Sequence, residues 1–284
     1  MNADARQSYF LLRFLLRYIL PLLIALPVGF LLLYPQLWRC MQIEDSPDFL
    51  GLTGQPNVYV NRNATRKQAA QLNTHLQTAR TRLARFWGDR RGRATLIYCP
   101  QQADYEQYCI GGEGAGCSLG TPWGESFLVL GPDGNNADVI AHELCHDELF
   151  ARLGWWRTKR EIPVWFNEGL ALMVDYRFSP PDLWEHPDRT ARPSYFDTDD
   201  DMMAFAQPPM LKLTNLETTR EFFGGSYGQV MLAYQIAANE VSTWLRVVGR
   251  AGVPALADAV ASGADFEETY RQLERSKRLK NRRR

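Results

Sequence analysis

A chain of 284 residues holds one large domain or two small ones. Its 45% hydrophobic content is ordinary, and 32 basic residues balance 32 acidic ones to a formal charge of zero. That balance argues against a nucleic-acid partner, whose footprint is a strong basic excess.

Residues 18–38 (YILPLLIALPVGFLLLYPQLW) carry no charge over 21 positions, and a helix of about 20 apolar residues crosses a bilayer core. Pro21, Pro27 and Pro35 interrupt the run, as membrane helices tolerate. Arg6, Arg13 and Arg17 precede it, while Glu44, Asp45 and Asp48 follow closely behind. Positive charge stays inside. Residues 1–17 are therefore expected in the cytoplasm and the rest outside it, as in a single-pass protein of a bacterial inner membrane in contact with membrane lipid. The run is long for a signal peptide and no small-residue cleavage site follows it. The reading is an uncleaved anchor, with a cleaved signal peptide as the rival. The roughly 240 residues beyond it suffice for a sizeable core.

Cys40 sits just past the span, and Cys99, Cys109, Cys117 and Cys145 fall in the body of the chain. Outside the cytoplasm disulfides are expected. Four cysteines allow three pairings, and the sequence leaves them open.

Residues 39–56 read as a linker, marked by Pro47, Gly51, Gly54 and Pro56. A short strand follows at 58–60. Asn63 or Thr65 can cap a helix reaching Trp87, with Leu72, Leu76, Ala79, Leu83 and Phe86 near helical spacing and Gly88 to end it. His75 in that helix has no partner motif and reads as a surface or packing residue. Residues 94–99 form a buried-type strand, and 104–109 a short helix. The glycine-rich run 111–116 matches no phosphate-binding pattern. It reads as a loop near the cleft, with Cys109 and Cys117 as candidates to pin it. A strand at 125–130 then ends in a Gly-Pro-Asp-Gly turn.

The densest chemistry comes next. His142-Glu143-Leu144-Cys145-His146 is an H-E-x-x-H pattern. It lies in a stretch without Pro or Gly that Asn135 or Asn136 can cap. Residues four apart share a helix face, so His142 and His146 can aim at one Zn²⁺. Glu143 is rotated about 100° away, where a general base for a zinc-bound water must stand. Cys145 points off that face. A catalytic zinc needs one more protein ligand, and Glu168, 22 residues after His146, offers it from an early turn of a second helix. The first helix is expected to stop at Gly154, leaving Trp155 to Arg160 as an aromatic and basic connector. Residues 179–209 are rich in Pro and Asp and read as loop, with an isolated His186 and an acidic run at 197–201. Tyr227 precedes a further helix, with others near 241–251, 254–261 and 266–273. The basic tail 276–284 is expected to be disordered.

The two central segments resemble the gluzincin (peptidase MA-like) zinc metallopeptidases, strongly over about 140–175 and diffusely over 57–275. Asn167 matches the residue that precedes the glutamate ligand there. The resemblance implies Zn²⁺ as cofactor, His142, His146 and Glu168 as ligands, and Glu143 as general base. It gives Tyr227 a hydrogen bond to the oxyanion and lets an extended peptide pair with the edge of strand 125–130. The implied fold is α+β: a zincin-like domain over 57–275, with a small mixed-sheet lobe and a helical C-terminal lobe after Glu168.

The expected function is a membrane-anchored zinc metallopeptidase acting on peptides or proteins outside the cytoplasm. One rival is an aminopeptidase of the same clan, though Glu113, the upstream carboxylate, lies in a setting unlike that family's amine-binding motif. The other is a non-catalytic, membrane-tethered zinc module, against which stand three ligands rather than four and an unused Glu143.

Overall fold

The computed structural model describes residues 13–109, 114–179 and 211–282. Arg6, Glu113, His186 and the acidic run 197–201 lie outside the described residues. A π-helical stretch Leu15–Ile19 leads into α1 (Leu20–Leu33) and α2 (Pro35–Met41). Then come β1 (Phe49–Gly51), β2 (Val58–Asn61), α3 (Arg66–Trp87), β3 (Thr95–Tyr98), α4 (Gln102–Tyr108), β4 (Gly116–Gly120) and β5 (Ser126–Leu130). The rest is helical: α5 (Ala137–Arg160), α6 (Val164–Val174), α7 (Thr219–Phe223), α8 (Tyr227–Val248), α9 (Gly252–Ala261) and α10 (Phe266–Arg282). This is a mixed α+β chain with one five-stranded sheet, in the order β1-β2-β3-β5-β4. The inner pairings, β2–β3 and β3–β5, are parallel, and both outer ones are antiparallel.

Alternation along the strands sorts side chains onto two faces. Leu96, Tyr98, Leu128 and Leu130 point into the main core, against Leu76 and Leu83 of α3 and Leu144 of α5. Ile97, Cys99, Phe127 and Val129 point the other way, into a smaller cluster with Leu37, Cys40, Ile43 and Tyr105. The helical lobe closes on its own aromatic knot, in which Trp244 stacks on Tyr270 at 4.7 Å and Phe166 meets Phe266 at 4.9 Å.

Helix ends follow local chemistry. Thr65 and Gln68 form a reciprocal capping box at the start of α3, and Gly88 ends that helix at φ 88°. Asn136, not Asn135, caps α5 by accepting from the amides of Asp138 and Val139.

Several expectations need correction. The apolar helical stretch is Leu15–Leu33 rather than 18–38. Tyr34 breaks the helix and Pro35 restarts it as α2, whose Leu37 is buried in the domain. Such a helix is long and apolar enough to cross a membrane, and a signal sequence has the same properties. Residues 39–56 are not a free linker: β1 pairs with β2, and Ile43 and Phe49 are buried. At Gly154 (φ 75°, ψ 166°) α5 kinks and then continues to Arg160. The helix expected at 241–251 is the end of α8, and α10 carries the basic tail to Arg282. Strand β4 was not expected at all.

Candidate metal centre

Two helices supply the centre. One turn of α5 puts His142 and His146 on the same side, and the early turns of α6 bring Glu168 to them. One ligand atom from each lies within 4.8 Å of the others, a grouping that can hold a metal ion. His142 Nε2 is 3.5 Å and His146 Nε2 3.7 Å from Glu168 Oε2. All three side chains are nearly buried. Gly169 lets α6 come this close to α8: a Cβ there would stand 2.7 Å from the Ala237 carbonyl oxygen and 2.5 Å from Val241. The residue after the carboxylate is therefore glycine for a packing reason.

Each imidazole is held from behind. His146 Nδ1 lies 3.0 Å from Asn167 Oδ1. With the proton on Nδ1, the Nε2 lone pair faces Glu168. His142 Nδ1 lies 3.3 Å from Asp175 Oδ2, an ion-pair contact rather than a well-aligned hydrogen bond. Arg177 grips Asp175 in turn, donating to Oδ1 at 2.9 Å and Oδ2 at 2.6 Å. Arg82 ties the ends of both helices together, pairing with Asp138 at 2.7 Å and donating to the Val174 carbonyl. Metal-binding histidines use this kind of outer partner to fix tautomer and ring orientation.

Electrostatics point the same way. Burial alone disfavours a charged His142, but the adjacent carboxylates of Asp175 and Glu168 outweigh it and push its pKa up to about 10. Burial also works against the charged forms of Glu168 and Asp175. The neighbouring imidazoles of His146 and His142 nevertheless hold Glu168 below the usual carboxylate range. The His142 imidazole and the hydrogen-bonded Arg177 guanidinium take Asp175 down to about 2. The pocket keeps its acids ionised and asks for positive charge.

Glu143 stands beside this group without joining it. Ser118 Oγ donates to its Oε2 at 2.6 Å. Ser118 comes from β4, an outer strand that reaches α5 only because it is thin. A Cβ on Gly116 would lie 3.1 Å from Val139 and 3.2 Å from Glu143, and one on Gly120 would lie 2.7 Å from the Phe150 ring. A disulfide, Cys109–Cys117, holds the strand's start. Cys40, Cys99 and Cys145 are free and buried. Because β4 covers one side of β5 and β3 the other, residues 125–130 offer no free edge for a peptide; the outer edge belongs to β4.

A cavity of about 650 Å³ lies over the centre, lined by both histidines, Glu143, Glu168, Ser118 and Tyr234 among others. Tyr227 is not part of that lining; it is 66% exposed on the first turn of α8. Tyr234, two turns further along the same helix face, lines the cavity instead. Burial first, and then the charges of Glu168 and Glu143, keep its phenol protonated. The sequence reading passed over Ser118, Asp175, Arg177 and Tyr234. Of these only Asp175 left a local trace, two helical turns after Glu168 and thus on the same face.

Compared with protein-family models and with curated proteins, the chain matches none.

Proposed function

We propose that the chain is a zinc metallopeptidase of the gluzincin type, held at a membrane and hydrolysing peptide bonds outside the cytoplasm. The observation that carries this reading is the meeting of His142, His146 and Glu168 within 4.8 Å, beside a glutamate outside that group. Two imidazoles and a carboxylate are a catalytic zinc donor set, which keeps one position for solvent. The distances fit. Tetrahedral zinc with bonds of about 2.05 Å sets its ligand atoms ~3.4 Å apart, against 3.5 and 3.7 Å for the two Nε2–Oε2 separations. The charge fits too, because a dication replaces the proton that His142 otherwise holds.

Zinc, when bound, supplies Lewis acidity and an acidified water. The chain's own residues do the rest. Glu143 takes the proton and returns it to the leaving amine. Ser118 occupies one carboxylate oxygen of Glu143 and leaves the other for that proton. Tyr234 takes the oxyanion role expected of Tyr227, because it lines the cleft and stays protonated. The outer edge of β4 replaces residues 125–130 as the strand for an extended substrate to join. A purely structural zinc module needs four protein ligands, and the group contains three among the described residues.

The test is Glu143→Gln. Bound metal stays at the wild-type level by elemental analysis, while turnover of a peptide library falls roughly 10²–10⁴-fold, the usual reach of general-base catalysis. Full turnover would remove Glu143 from the chemistry. Cleavage restricted to peptides with a free N-terminus would transfer the reading to an aminopeptidase. Metal-loaded wild type that cleaves neither free nor blocked peptides would end the peptidase reading.

A further inference from the structure

Exposed aromatic rings gather at one place beside the cleft. Tyr34 after α1, Trp123 in the β4–β5 turn and Trp156 near the end of α5 are 42%, 46% and 59% exposed. Phe30 of α1 is their meeting point. Its ring lies 4.8 Å from Tyr34, 6.0 Å from Trp123 and 6.4 Å from Trp155. Trp155 in turn lies 4.7 Å from Trp156. Exposed apolar surface on this scale marks a contact site rather than ordinary solvent-facing surface.

Phe30 also fixes the depth of these rings. The apolar stretch Leu15–Leu33 has 19 residues, about 28 Å of helix, close to the thickness of a bilayer's hydrocarbon core. Phe30 stands about 4.5 Å of helical rise before its end. When that stretch crosses a bilayer, any ring packed on Phe30 lies where headgroups meet acyl chains. Tryptophan and tyrosine are favoured at that level, with an apolar body and a polar tip. Arg157, Lys159 and Arg160 follow Trp156. These cations suit lipid phosphates.

The attachment is stiff. Phe30 and Leu31 pack against the outer-face cluster that already contains Leu37 and Cys40. Trp155 and Lys159 meanwhile line the metal cleft itself.

We infer that Tyr34, Trp123, Trp155 and Trp156 seat the domain on the lipid bilayer and hold the mouth of the metal cleft at the membrane surface. The inference rests on residues 15–33 being a retained anchor. It narrows the substrate to polypeptide segments that lie on the bilayer or emerge from it.

The experiment uses the full chain in phosphatidylcholine vesicles with a minor anionic fraction, with acyl chains brominated near the headgroup. Brominated lipid is expected to quench tryptophan emission. The variant Trp123→Ser/Trp156→Ser is expected to lose at least a third of that quenching while keeping its bound metal. Equal quenching in the two proteins, or none in either, overturns the seating when the chain floats with the vesicles after a carbonate wash. A chain that does not float overturns the anchor, and the seating with it. A peptide tethered to the vesicle should be cleaved at least tenfold faster than the same peptide free in solution. Equal rates would overturn the substrate class and leave the seating to the quenching result.

Discussion

The cleft has two unlike walls. One is made of α5 and α6, and it carries every candidate ligand. Its side chains are cross-braced by Asn167, Asp175, Arg177 and Arg82, and Gly169 presses it onto α8. The other wall is β4, five residues of outer strand with glycine at both ends and a disulfide at its start. The helical wall sets where a cation can sit. Of the candidate site residues, the strand wall touches Glu143. Rigid elements hold a constellation better than loops or edges do, so holding metal and using it should be separable by mutation.

The largest effect belongs to the helical wall. Glu168→Gln removes a candidate ligand, so metal affinity should fall beyond the roughly 10–100-fold that losing an outer partner costs. Competition with a chromophoric chelator measures this. Unchanged affinity would dissolve the contrast between the walls by taking Glu168 out of the site.

On the strand wall, Cys109→Ser/Cys117→Ser opens a link between residues eight apart in sequence. Loop-closure entropy puts the loss at about 2.5 kcal/mol of stability, readable in a urea transition. Stoichiometric metal should survive, because neither cysteine braces a ligand. If metal is lost together with the disulfide, the walls are one unit.

Asp175→Asn returns to the helical wall one step further out. It removes the charge behind His142 and the partner of Arg177. Metal affinity should drop about 10–100-fold, less than for Glu168→Gln, with the fold intact by circular dichroism. An equal loss in both variants would mean that Asp175 is itself a ligand.

The same contrast explains what the sequence disclosed. His142, Glu143 and His146 are legible because helical geometry is local: spacing alone fixes which side chains share a face. Thr65 with Gln68 and the apolar positions of α3 are legible for the same reason. Strand β4 is not, because Gly-Cys-Ser-Leu-Gly has no alternation and forms against a partner whose fit depends on missing side chains at Gly116 and Gly120. Ser118 went unseen with it. The resemblance points to Tyr227, but that residue sits on the exposed first turn of α8, while Tyr234, seven residues deeper along the same face, reaches the cleft. Residues 39–56 looked like linker from Pro and Gly content, yet a three-residue strand needs only the waiting edge of β2. What a tertiary neighbour decides cannot be read from composition.

The smallest and sharpest test is Ser118→Ala. The hydroxyl donates to a carboxylate, and a hydrogen bond to a charged group contributes roughly 1.5–3 kcal/mol when both ends are dry. Ser118 faces the open cleft, where water can take over part of its role, so about 1 kcal/mol is the fair expectation. Turnover should fall about fivefold. Bound metal should not change, because Glu143 lies outside the ligand group. Ser118→Thr keeps the hydroxyl and should recover most of the rate. If Ser118→Ala instead lowers metal affinity, the strand wall reaches the ligands after all. If it changes neither quantity, the contact with Glu143 is incidental and β4 contributes only its edge.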